Sequence, residues 1–125
     1  MTPAILGGLL VAGAVGAAAR HLVDGLVSRH ADHGYPWGTL VVNVTGSLLL
    51  GMVTGAALQH GLPGTPAILL GTGLCGSYTT FSTFAFETIR LLEEGSPAGA
   101  VLNPVGHLLA GTGAAATGLL VASAV

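Results

Sequence analysis

Apolar residues fill the chain in four long runs, at approximately 3–27, 37–58, 67–92 and 98–125. Short polar stretches carrying Gly or Pro, at 28–36, 59–66 and 93–97, punctuate them. A helix needs about 20 mostly apolar residues to cross a bilayer, and all four runs are long enough. Alternation with a period of two, the mark of a membrane strand, is absent. The pattern therefore predicts an all-α membrane protein of four transmembrane helices, forming one unit over residues 1–125 with no soluble domain. The first run is broken late by Arg20, His21 and Asp24. It also admits a secretory leader ahead of Ala17, Ala18 and Ala19, but it lacks the basic start such a leader carries.

Composition sharpens this expectation. Only 6% of the 125 residues are charged, against roughly 25% in ordinary soluble domains. So few charges leave too little polar surface to keep the chain dissolved. The 21 glycines fit closely packed membrane helices. A net charge of −2, with no Lys, gives no basic face for nucleic acid. The lone Cys75 cannot form an internal disulfide. An even number of spans puts both termini on one side, and Arg20, Arg29 and Arg90 all fall toward the other. The positive-inside rule would place that side in the cytoplasm, although so slight a bias also suits a chain that inserts both ways.

Polar groups within the runs carry the candidate chemistry, because hydrocarbon tolerates them poorly. Thr39, Asn43 and Ser47 fall at i, i+4 and i+8, on one helix face that Gly51 and Gly55 continue. Asn43 in such a place either bonds two helices together or lines a route, and the pattern alone favours the first. Likewise Gly51-x-x-x-Gly55 reads as ordinary close packing at least as well as a self-association motif. The third run holds GTGLCGSYTTFSTF from Gly71 to Phe84. Gly73 and Gly76 loosen the helix there, and Ser77, Thr79, Thr80, Ser82 and Thr83 crowd in hydroxyls. This predicts a break at 76–79, with backbone carbonyls freed to hold a cation. Phe81 and Phe84 follow on one face, and a phenyl edge is positive enough to meet an anion. On the fourth run Asn103, His107 and Gly111 share a face, and Pro104 is expected near the helix start, where Pro is tolerated. Glu87 and Arg90, three apart, either pair with each other or leave Glu87 to line an entrance, and the spacing favours the pair. No Ser/His/Asp or Cys/His arrangement suggests catalysis.

Two of these motifs resemble the CrcB/Fluc family of fluoride channels: GTLVVNVTGSLLLG from Gly38 to Gly51, and GLCGSYTTFSTF from Gly73 to Phe84. Gly16-Ala-x-x-Arg20 is similar to the family's first-helix motif. The resemblance runs through all four spans in order. It implies a multi-pass subunit in the cell membrane that pairs antiparallel, with itself or with a homologous subunit. It also implies two fluoride pathways and a structural sodium ion at the dimer centre. The sodium ligands would be the backbone carbonyls of Gly76 and Thr79. Asn43, Phe81 and Phe84 would line the pore, with Ser82 and Thr83 on a hydroxyl track and Thr39 and Ser47 on the Asn43 face. Export of fluoride down its gradient would relieve its toxicity. The family usually carries small hydroxyl or aromatic residues on the fourth helix, where this chain has Asn103 and His107. His107 is therefore expected either to touch the route and make it pH-sensitive or to pack between helices with a satisfied partner.

Two other classes stay open on the residues alone. A small dual-topology multidrug-type transporter would need an intramembrane carboxylate, and the first helix has none before Asp24. A non-transporting assembly subunit would not need the hydroxyl-rich break.

Overall fold

The computed structural model describes every residue from Met1 to Val125, and all of its regular structure is helical. α1 (Pro3–His30) starts at Thr2, whose hydroxyl accepts from the Ile5 amide at 3.3 Å. Pro3 opens its first turn, where a missing amide hydrogen costs nothing. α2 (Trp37–Gln59) follows a short loop. The third run is divided into α3 (Gly64–Ile68), a π-helical turn (Leu69–Cys75), α4 (Gly76–Tyr78) and α5 (Ser82–Glu93). Gly95, with φ of 80°, makes the turn into α6 (Pro97–Ala124). Pro104 lies inside α6 rather than in its first turn. The Ala100 carbonyl therefore loses the amide that a continuous helix would supply.

α1, α2 and α6 are each long and apolar enough to cross a membrane. The outer surface agrees. Only 14 of 125 residues are buried, while Leu10, Val11, Leu22, Leu108, Leu109 and Leu120 are exposed. The accessible area is 7314 Å², against roughly 6,100 Å² expected for a soluble globule of this mass. Large side chains point outward and small ones inward, the arrangement expected in lipid, where tight backbone packing replaces hydrophobic collapse.

α2 is the centre of the bundle, and α6 packs along its length. Gly51 lies against the Ala115 carbonyl, Gly118 against the Leu48 carbonyl, and Gly55 against Leu119 and Ala122. The Gly51–Gly55 pair is thus consumed inside the subunit and does not serve an outer self-association face. α1 holds the first half of the third run, with Gly16 against Leu74 and Tyr78, and Gly73 against Ala12 and Leu9. α5 packs instead on α6. The third run therefore crosses α2 between its two halves, at Gly46, where a side chain would strike Thr79 and the Tyr78 ring.

Candidate functional site

The crossing point is where the helix comes apart. Gly76 stays helical (φ −62°, ψ −33°), and the Thr79 amide still bonds the Cys75 carbonyl at 3.0 Å. Thr79 itself is extended (φ −75°, ψ 159°), so the break occupies Thr79, Thr80 and Phe81, later than the expected 76–79. The cause sits on α2. The Asn43 side-chain oxygen accepts from the Thr80 amide at 2.8 Å, and its Nδ2 donates to the Thr80 carbonyl at 3.0 Å. One side chain satisfies both backbone groups of a non-helical residue at membrane depth, which hydrocarbon would otherwise forbid. Thr80 then starts the next helix. Its hydroxyl accepts from the Thr83 amide at 3.2 Å and donates to the Thr83 hydroxyl at 3.1 Å.

These bonds have a consequence for the carbonyls. In a continuous helix the Thr80 amide would go to Gly76 and the Thr83 amide to Thr79. Asn43 and the Thr80 hydroxyl take them instead. The Gly76 and Thr79 carbonyls therefore lose their helical donors and are available as hard oxygen ligands. That donor set fits a sodium ion, and no cluster of His, Cys, Asp or Glu competes for one.

A cleft of about 480 Å³ opens beside the break. Asn43, Ser47, Gly76, Thr79, Phe81, Phe84 and His107 all line it. Phe81 is 78% exposed, and its ring centroid lies 5.6 Å from that of Phe84. Phe84 in turn stacks at a tilt on His107, with centroids 4.6 Å apart. Three rings thus form a row along the cleft. Asn43 spends one Nδ2 hydrogen on Thr80, so the amide group keeps a second as a donor.

Other expected residues sit elsewhere. Thr39 and Thr83 line a separate cavity of about 160 Å³ with Arg20, His21 and Asp24, and Thr80 is common to both spaces. Thr39 is buried and donates to Glu87 Oε1 at 2.9 Å. Ser82 is exposed and lines neither space, with its hydroxyl 3.4 Å from that of Thr80. Glu87 does not pair with Arg90. Arg90 Nε instead lies 3.3 Å from Glu94 Oε1, one turn on, because the Thr39 hydroxyl draws Glu87 inward. A third cavity, of about 190 Å³, leads from Glu87 toward the 31–36 loop past Asp24, Tyr35 and Trp37. Burial pushes the Tyr35 phenol above its ordinary value, and the Glu87 charge adds to the shift.

Gly46 and Cys75 belong to the break or the cleft without having been expected there, and Thr80, expected only as one of five crowded hydroxyls, is the residue on which the break turns. Thr80-x-x-Thr83 carried a readable signal, since a hydroxyl three residues before another helix residue is a common helix start. Gly46 and Cys75 carried none in a chain this rich in small residues.

The family model described as "CrcB-like protein, Camphor Resistance (CrcB)" matches residues 8–119. "Fluoride-specific ion channel FluC 1" of Frankia casuarinae is 49% identical over 123 residues, covering 94% of this chain and 95% of the relative. "Fluoride-specific ion channel FluC 1" of Leifsonia xyli subsp. xyli is 44% identical over 119 residues, covering 95% and 87%. "Fluoride-specific ion channel FluC 2" of Haloarcula marismortui is 49% identical over 96 residues, covering 77% and 75%. The match takes in α2, the broken third run and most of α1 and α6, and on it the chain belongs to the CrcB family.

Proposed function

We propose that this chain is a subunit of a fluoride-selective channel that exports fluoride across the cell membrane and relieves its toxicity. The family is one of ion channels, and the chain is not an enzyme. The observation that carries the reading is the broken backbone held by Asn43 at the wall of a cleft edged by Phe81 and Phe84. Fluoride is small and strongly hydrated, so a selective path must replace its water with donors. The spare Asn43 hydrogen and the Ser47 hydroxyl are donors along that wall. Phenyl edges narrow the path and offer weak positive charge, while larger halides gain less from so tight a lining.

The cleft also supports a partner. It is open to one side, with Phe81 standing out, and its mostly apolar lining includes Gly76 and Thr79 at the break. Backbone carbonyls freed there are tolerated at membrane depth only where protein covers them or they line a water-filled cavity. In our reading that cover is an antiparallel second subunit, identical or homologous. The Gly76 and Thr79 carbonyls of both subunits would hold a sodium ion, whose charge would steady a passing anion in low dielectric. His107, Thr39 and Thr83 complete the route in this reading, with Thr39 and Thr83 on its second cavity, and Ser82, which lines neither space, joins it through the Thr80 hydroxyl.

The test is fluoride efflux from liposomes containing the purified protein, followed with a fluoride electrode. Wild-type protein should empty the liposomes, and Phe81→Ile or Phe84→Ile should slow efflux by about tenfold or more, as loss of a weak binding site in a narrow filter implies. Equal efflux from all three proteins would remove the phenyl rings from the pathway.

A further inference from the structure

α6 carries one titratable side chain, His107, and it lies against the cleft. Its Nδ1 is 2.9 Å from the Asn103 carbonyl oxygen, one turn back. A carbonyl only accepts, so Nδ1 holds the ring proton in neutral imidazole and Nε2 holds the lone pair. Nε2 is buried and meets no partner. Asn103 is fixed in turn. It is 0% exposed, and its Nδ2 donates to the Thr88 hydroxyl at 2.9 Å, which donates to the Phe84 carbonyl at 2.8 Å. The ring is thus held on one side by Asn103 and on the other by the Phe84 face, with one nitrogen left without a use.

Few other charges face it. α6 packs on α2 and α5. α2 has no titratable side chain. α5 contributes Glu87, Arg90 and Glu93; Arg90 pairs with Glu94, and Glu87 accepts from Thr39. Cys75 lines the same cleft, and the Tyr35 hydroxyl lies beside Gly106 of α6.

We propose that His107 makes the route proton-dependent through the charge it places beside the cleft. Neutral, the ring keeps an unpartnered lone pair buried next to the cleft it lines, which offers an anion nothing. Protonated, the ring is positive and attracts an anion across a short, poorly screened distance, where Asn43 and the phenyl edges supply only neutral groups. Histidine is the side chain whose ordinary charge change falls between pH 5 and 8. Acidification therefore opens the route to fluoride. This rests on the channel reading above and adds a regulator to it.

Two measurements test it. The first is fluoride efflux from proteoliposomes, corrected for protein-free liposomes, at equal internal and external pH between about 5.5 and 8, the span over which a histidine switches. Wild-type efflux should be about fivefold or more faster at the acidic end, and His107→Gln should lose that ratio whatever its absolute rate. A wild-type rate that is measurable but flat, or a ratio that survives in His107→Gln, overturns the proposal and leaves the channel intact. No efflux at any pH overturns the channel reading and the proposal together. The second measurement uses the wild-type protein alone. Its His107 resonances, followed by NMR across the same pH range, should titrate at higher pH in fluoride than in equal chloride, since an anion that prefers the charged ring must raise its proton affinity. Identical midpoints in the two salts overturn the proposal even where His107→Gln fails to fold.

Discussion

Asn43 makes the broken helix possible. It replaces two helical hydrogen bonds with two of its own, and its remaining donor is what an anion would meet. Asn43→Ala should leave the Thr80 amide and carbonyl unpaired and lower stability by about 2–6 kcal/mol, at roughly 1–3 kcal/mol for each buried orphan. Thermal unfolding in detergent measures this, and an unchanged midpoint would show that Thr80 finds other partners. Asn43→Asp is the sharper variant, because it loses the donor to Thr80 and adds a charge that repels fluoride. Tyr35 gives a residue-scale test outside the membrane. Its raised value means that the folded state holds the phenol proton more tightly than the unfolded one. Stability from this source is complete below the ordinary value of 10.0 and is lost as pH rises through the folded value. Tyrosinate absorbance in a Tyr78→Phe background should place Tyr35 ionisation above that ordinary value, with Glu87→Gln bringing it only part of the way back, since burial is the larger cause. Ionisation at the ordinary value would show the ring to be solvated.

Much of this was legible one residue at a time, but grouping was not. Thr39, Asn43 and Ser47 do share the α2 face that their spacing predicts, yet Thr39 opens on one side of Thr80 and the other two on the opposite side. Eight residues of helix span about 12 Å, and the chain crossing at Thr80 divides that length. Only the contact between α2 and the third run could reveal this.

Among the elements, the three unbroken helices are plain in the apolar runs because a bilayer sets their length. The break is harder to locate. Gly73 and Gly76 suggest weakness, but Gly73 falls in the π-helical turn and Gly76 remains helical. The backbone departs at Thr79 because Asn43, 37 residues away in the chain, captures the next amide. Local sequence holds the cause of a helix that can break, and a distant side chain selects where. The same holds for glycines. Gly51 and Gly118 meet backbone across the α2–α6 seam, whereas Gly113 on α6 faces open space. Gly51→Ala and Gly118→Ala should each cost about 1–3 kcal/mol by forcing the helices apart. Gly113→Ala should stabilise by up to about 1 kcal/mol through helix propensity alone. Unfolding midpoints of the three variants in one detergent decide this, and similar shifts at all three positions would mean that the seam is loose.

At the scale of the whole molecule, the chain is a thin bundle with an apolar exterior and a cleft at one side that the broken backbone lines. Composition and run length alone point to the membrane. They say nothing of a cleft, which arises because the two halves of the third run pack on different helices. An anion path left open along that side is only half enclosed, and in the proposed channel a second subunit closes it. Selectivity for fluoride is tested most directly by efflux of fluoride and of chloride from matched proteoliposomes under identical gradients. The proposed channel should release fluoride rapidly and retain chloride at the level of protein-free liposomes. Equal efflux of both ions, or of neither from protein shown to be paired, would contradict it.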